Sequence, residues 1–217
     1  EADLEILELV LTVLKRVRIQ NFVLDLSDVR VVAALLADAA IDSGKAHAIQ
    51  QALARKDVAT IAALTADLAP GVRDAIRLIP DLYGDASVID RARQQLPASP
   101  VIASALDELA EIAAQVKALG VASVSVDLAD LRGYAYYTGL RFSVYSTAPR
   151  SNQQLELVRG GRYDEVGAVF GRRRPAVGFS VDVKELAAMS ATPTLHRAIR
   201  APWGDSPGLR AAVAALR

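Results

Sequence analysis

The apolar residues change their period once along this chain, near residue 120, and that change restricts the folds open to it. Before it they recur at helical spacing. Leu4, Leu7, Leu11 and Leu14 form one stripe, with Ile6, Val10, Val13 and Val17 beside it. A helix apolar on two adjoining sides is expected between layers. FVLDL at 22–26 reads as a short buried strand, and Ser27 or Asp28 stands where a cap is needed for a helix through Leu36. Asp57 is a suitable N-cap for a helix carrying Val58, Ile61, Leu64 and Leu68, expected to stop at Pro70-Gly71. Another helix runs to Ile79 and ends at Pro80. Pro97 and Pro100 break the chain again, and Ile102, Leu106, Leu109, Ile112, Val116 and Leu119 form an amphipathic helix that Gly120 terminates.

After residue 120 the period becomes two. Val124, Val126 and Leu128 alternate with Ser125 and Asp127, and Leu140, Phe142 and Val144 with Arg141, Ser143 and Tyr145. Residues 146–153 are loop-like, QLELV at 154–158 resumes the sheet, and PAVGFSVDV at 175–183 is a fourth strand feeding the helix KELAAM. Successive strands on short loops imply an antiparallel sheet rather than a βαβ unit. Composition shifts at the same place. Residues 1–119 hold 3 of the 13 glycines and 2 of the 11 aromatics. The class expected is α+β, an antiparallel sheet with flanking helices.

Several chemistries lack raw material. Cys is absent, which excludes a disulfide framework, a thiolate metal site and a Cys nucleophile. His47 and His196 are the two histidines, too few for a His cage or a Ser-His-Asp triad. Lys+Arg and Asp+Glu balance at 25 each, unlike a general polyanion binder. No apolar run approaches the ~20 residues that span a bilayer, and no signal segment is visible, so a cytoplasmic chain is expected. The chain starts at Glu1 inside a helical pattern and stops in AAVAALR inside another, as expected of a piece of a longer protein.

Three segments carry the candidate chemistry: RGYAYYTG at 132–139, RGGRYDEVG at 159–167 and FGRRRPAVGF at 170–179. From Arg132 to Arg174 there are eight arginines, no lysine and three acids, a local excess of five positive charges. Arginine without lysine favours bidentate contact with carboxylate or phosphate. Gly160-Gly161 permits either close backbone approach to a ligand or a plain hairpin turn. Tyr136 and Tyr137, if on a strand, point to opposite faces, so that one lines a pocket and the other packs. Arg172, Arg173 and Arg174 read either as an anion contact or as a solvated loop.

The string RGYAYYTG, GGRYDEV, PAVGFSVDVKEL resembles class II histidyl-tRNA synthetases, whose motifs run approximately RGLDYYTG, GGRYDGL and PAVGFAIGLERL. It is closer still to their paralogues, the synthetase-like regulatory subunits of ATP phosphoribosyltransferases. APWGD at 201–205 and the helical stretch at 30–119 are similar to those paralogues too. The resemblance implies a class II synthetase-like core begun by residues 1–29, a mostly helical insertion at 30–119, and a sheet with the pocket motifs at 120–190. A linker and the start of a small C-terminal region follow at 191–217.

By the same resemblance Arg132 meets a histidine carboxylate and Tyr136 and Tyr137 flank the imidazole. Tyr163 is a further pocket wall, and Gly160 and Gly161 are the floor; Arg162, beside them, is a candidate anion contact. The resemblance also marks departures. Glu185 stands at the arginine of GLERL, which clamps ATP in the synthetases, and Ala135 replaces the acid of RGLDYY. A carboxylate opposite a triphosphate repels it; reversing one charge at ~4 Å and an effective dielectric of ~20 moves the interaction by several kcal/mol. The neighbouring Lys184 is expected on another side of the helix. The synthetases' first two motifs, for dimerisation and ATP, would precede Glu1, and a basic anticodon-binding domain is not expected after residue 190.

What this implies is a non-catalytic subunit, with no cofactor and no metal. Its partner is the catalytic subunit of ATP phosphoribosyltransferase in a hetero-oligomer, its ligand L-histidine, and its full-length form a homodimer. No membrane and no nucleic-acid partner is expected. The alternative is a fragment of a histidyl-tRNA synthetase catalytic domain, which Glu185 and the neutral charge oppose.

Overall fold

The computed structural model describes residues 1–134, 136–147, 153–190 and 202–215. Ala135 and the stretch 191–201, which includes His196 and most of the expected linker, lie outside them. Among the described residues no helix is long and apolar enough to cross a membrane.

The two-sided apolar pattern at the start becomes α1 (Ala2–Arg16), which buries Leu7, Val10 and Leu14 and packs Leu4, Ile6 and Leu11 at its flanks. The chain then enters β1 (Val23–Asp28). Asp28 ends that strand and caps α2 (Val29–Asp38), its carboxylate accepting the Arg30 N–H at 2.9 Å. Next come α3 (Ser43–Ala54) and α4 (Val58–Leu64), each opened by an aspartate cap, Asp42 and Asp57. The helix on Asp57 is shorter than its apolar pattern implies. Thr65 turns it off at Leu64, and Pro70 begins α5 (Pro70–Leu78) rather than ending α4, because proline's missing N–H is harmless in a first turn. A two-residue strand, β2 (Tyr83–Gly84), precedes α6 (Ser87–Gln95) and α7 (Pro100–Ala118).

The remaining strands are β3 (Val124–Asp127), β4 (Leu140–Thr147), β5 (Gln154–Arg162) and β6 (Val177–Val181), followed by α8 (Val183–Met189) and α9 (Pro207–Ala215). They join in one sheet of order β2-β3-β1-β4-β5-β6. Four of its five pairings are antiparallel, as expected; β1 and β3 run parallel. The helical stretch between those two strands supplies the long crossover that a parallel pair needs.

The registers Leu24↔Val124 and Leu24↔Val144 place Leu24, Leu26, Val124, Val126, Phe142 and Val144 on one face of the sheet. All are buried; α7 packs against β1, and α1 against α7 and the β5–β6 end of the sheet. The partners Asp25↔Ser125 and Asp25↔Ser143 put Asp25, Ser27, Ser125, Asp127, Arg141, Ser143 and Tyr145 on the opposite face. That second face is covered as well: Arg141 is 2% exposed and Ser143 fully buried. A buried polar face is costly unless every group finds a partner, and its partners define the site.

Candidate functional site

The turn after β3 crosses the polar face and supplies those partners. Asp127 fixes its start by accepting the Ala129 N–H at 3.0 Å. Asp130 is 7% exposed and its carboxylate receives two arginines. Arg132 grips it through Nε at 2.9 Å and Nη2 at 2.7 Å, and Arg141 reaches it through Nη1. Arg141 is itself tied to the turn, donating Nε to the Arg132 carbonyl at 3.0 Å and Nη2 to Ser143 Oγ at 3.2 Å. Burial by itself would raise the Asp130 carboxyl, but the Arg132 bonds and the Arg141 charge hold it below the ordinary carboxylate value.

The outer edge of Arg132 meets a second acid. Nη1 donates to Glu156 Oε2 at 2.9 Å, while the Tyr145 hydroxyl contacts Arg132 Nη2 and donates to the same Glu156 oxygen at 3.0 Å. Arg159 Nε pairs with the other Glu156 oxygen at 2.7 Å. The Arg132 side chain is nevertheless half exposed. It therefore stands at the mouth of the network, between buried Asp130 and solvent.

The tyrosines form the next wall. Tyr136 and Tyr137 lie in the turn after Gly133 and not on a strand, so they do not split between faces. Their rings meet edge-on at 5.3 Å, and Tyr136 lies 4.7 Å from Tyr163. Gly133 enables this with φ +75°, and a Cβ there would come within 3.0 Å of the Tyr137 ring. Gly160 and Gly161 are not a hairpin turn but sit inside β5, paired with Phe142 and Arg141 of β4 and with Phe179 and Gly178 of β6. A Cβ on Gly161 would lie 2.9 Å from Tyr137 and 2.3 Å from the Leu140 carbonyl; one on Gly178 would lie 2.4 Å from the Tyr163 hydroxyl. The absent side chains let the rings rest on the sheet.

Beside Arg132 the polar face opens into a cleft of about 460 Å³, lined among others by Asp25, Lys56, Ser125, Asp127 and Tyr145. Lys56, at the end of α3, bonds Asp127 at 2.9 Å and sits 4.1 Å over the Tyr83 ring. Asp25 accepts from Ser125 Oγ. Burial pushes its carboxyl up to about 6; the Ser125 bond opposes this, and the Asp127 and Asp130 charges add to it.

Of the residues picked from sequence, Arg132, Tyr136, Tyr137, Tyr163, Gly160 and Gly161 thus gather along the β4–β6 end of the sheet and the turn above it. Arg162 is elsewhere. It points toward α1, paired with Asp3 and, at 3.3 Å, with Asp164. Glu185 occupies the first turn of α8, where its N–H donates to the capping Asp182 at 3.0 Å. A carboxylate in a first helical turn is favoured by the helix dipole. Lys184 is exposed. Arg173 pairs with Glu165 at 3.0 Å on the surface, as a solvated loop would. Asp25, Asp130, Tyr145, Arg141 and Glu156 escaped the motif reading. Strand alternation pointed to two of them, Arg141 and Tyr145, at the polar positions of LRFSVY.

Residues 1–186 match the family model described as histidyl-tRNA synthetase. The chain belongs to the histidyl-tRNA synthetase family. Within that family, the protein named ATP phosphoribosyltransferase regulatory subunit from Burkholderia multivorans is 50% identical over 218 residues, matching 100% of this chain and 55% of its own length. Its namesake from Variovorax paradoxus is 47% identical with the same coverage. The chain thus spans about half the length of the curated relatives it matches. A crystal structure of an ATP phosphoribosyltransferase regulatory subunit/histidyl-tRNA synthetase from Bacillus halodurans superposes with a TM-score of 0.74 at 26% identity, over 88% of this chain and 50% of that one.

Proposed function

We propose that this chain is the synthetase-like core of a non-catalytic regulatory subunit of ATP phosphoribosyltransferase. In this reading it binds L-histidine and passes its level to the catalytic subunit at the first step of histidine biosynthesis, in the cytoplasm. The observation that carries it is the near-half identity, along the entire chain, with proteins of that name. Histidine suits the residues gathered at the turn. A guanidinium at Arg132 takes a carboxylate and the phenols of Tyr136, Tyr137 and Tyr163 take ring nitrogens, while Gly160 and Gly161 seat the Phe142 and Tyr137 rings beneath them. Residues 30–119 then act as an insertion, 120–190 as the binding core and 191–217 as the lead into a C-terminal region.

Glu185 separates this reading from a synthetase fragment. The position that would grip nucleotide phosphates carries a negative charge, which the first turn of α8 accommodates and a triphosphate does not. Regulation is then differential binding, histidine favouring one state of the hetero-oligomer by about 1–3 kcal/mol of coupling.

The test uses the full-length subunit. Co-purification with the catalytic subunit, a histidine dissociation constant by calorimetry, and a histidine-dependent change in phosphoribosyltransferase activity are expected. Histidine-dependent ATP–pyrophosphate exchange by the full-length subunit alone would overturn the non-catalytic reading.

A further inference from the structure

Arg132 is the candidate contact for a ligand carboxylate, yet four of its five N–H donors are already engaged. Its Nε and Nη2 are fixed on Asp130, which is buried and also held by Arg141. A carboxylate arriving from solvent would dock on the other edge of the guanidinium, the one formed by Nη1 and Nη2. That edge carries Glu156, at 2.9 Å from Nη1, with the Tyr145 hydroxyl between them. Glu156 has a second anchor. Arg159, two-thirds exposed, lies 2.7 Å from its other oxygen, an ion pair by distance that makes no hydrogen bond. Glu156 can therefore give up Arg132 without becoming an unpaired charge; Asp130, the more deeply buried of the two acids, holds Arg132 through two bonds where Glu156 holds it through one.

We infer that Glu156 is a built-in stand-in for the ligand carboxylate, which an incoming carboxylate must displace from Arg132 and which thereby sets the affinity of the site. The inference rests on the reading of Arg132 as the carboxylate contact and deepens it. The bound state exchanges one Arg132–carboxylate contact for another, with Glu156 retained by Arg159. Binding is weaker by the strength of the displaced contact, and discrimination against ligands without a carboxylate increases, since they cannot replace it.

The experiment compares the full-length protein with its Glu156→Gln variant, which keeps the shape and the Tyr145 bond but removes the charge. Arg132 reactivity toward phenylglyoxal is followed by peptide mass spectrometry, and histidine binding by calorimetry. The variant should label faster at Arg132, with exposed Arg210 as an unchanged internal reference. It should also bind histidine about two- to fivefold more tightly, the effect of one partly exposed ion pair. Glu156→Asp, with the charge retained on a shorter stem, should fall between the two. Unchanged or slower labelling in both variants overturns the inference even if histidine binds. Faster labelling with no histidine binding in any form upholds the Glu156–Arg132 contact and removes histidine as the ligand.

Discussion

Arg141 and Asp130 form an ion pair whose side chains are 3% and 6% exposed, under the turn that presents Arg132 to solvent. Removing one partner of such a pair strands a buried charge. Arg141→Met or Asp130→Asn should each cost about 3–5 kcal/mol, read from urea unfolding at neutral pH. The double variant should cost much less than the sum, because it strands neither charge. Asp130 also gives a pH signature. Its carboxyl is held below the ordinary value, so it adds stability above the unfolded value of 3.8 that is lost as pH falls through its folded value. Asp130→Asn should remove that part of the acid-induced loss.

Asp25 has the opposite sign. Its carboxyl is raised from 3.8 to about 6, so the folded state holds a proton that the unfolded chain has released between those values. Stability from this group is full below the unfolded value and declines as pH rises toward 6. Above that, a charged carboxylate stays in the cleft at a cost. Asp25→Asn should therefore stabilise the protein by about 1–3 kcal/mol at pH 7.5 and be nearly neutral at pH 4. Thermal unfolding of both forms across that range checks it.

The helices and strands were legible because their apolar residues keep period. The Leu4–Val17 stripes, the Asp28 and Asp57 caps and the alternation at Val124–Leu128 each state their element locally. The tyrosine motifs were legible through a family pattern. Three things were not. Pro70 was ambiguous because proline both ends and begins helices. Gly160-Gly161 looks like a turn by itself, and its pairing with β4 on one side and β6 on the other makes it a strand. Arg141 and Glu156 looked like ordinary solvent-facing strand positions. Their burial follows from a turn folding over the sheet, a tertiary fact that no local window contains.

Two glycines in neighbouring strands should respond differently to the same added methyl. At Gly161 a Cβ would lie 2.3 Å from the Leu140 carbonyl, a backbone atom of the paired strand. Gly161→Ala must therefore distort the β4–β5 ladder and should lose about 2–3 kcal/mol. At Gly178 the obstacle is the hydroxyl of Tyr163, the far end of a side chain. Gly178→Ala should lose less stability while moving that ring. Its expected effect is on histidine affinity, measured by calorimetry beside a denaturant curve.

Lys56 holds the end of α3 to the sheet from a left-handed backbone conformation, φ +52°. Two quantities can be separated there. The side chain contributes a partly exposed ion pair with Asp127 and the contact over Tyr83, about 1–2 kcal/mol together. The backbone conformation costs a residue with a Cβ about 1 kcal/mol that glycine avoids. Lys56→Ala loses the contacts and keeps the strain; Lys56→Gly loses the contacts and releases it. Glycine should therefore be the less destabilising of the two by about 1 kcal/mol, an inversion of the usual order at helical positions. Urea midpoints of the two variants decide it, and alanine proving the more stable would mean that the left-handed turn is not retained.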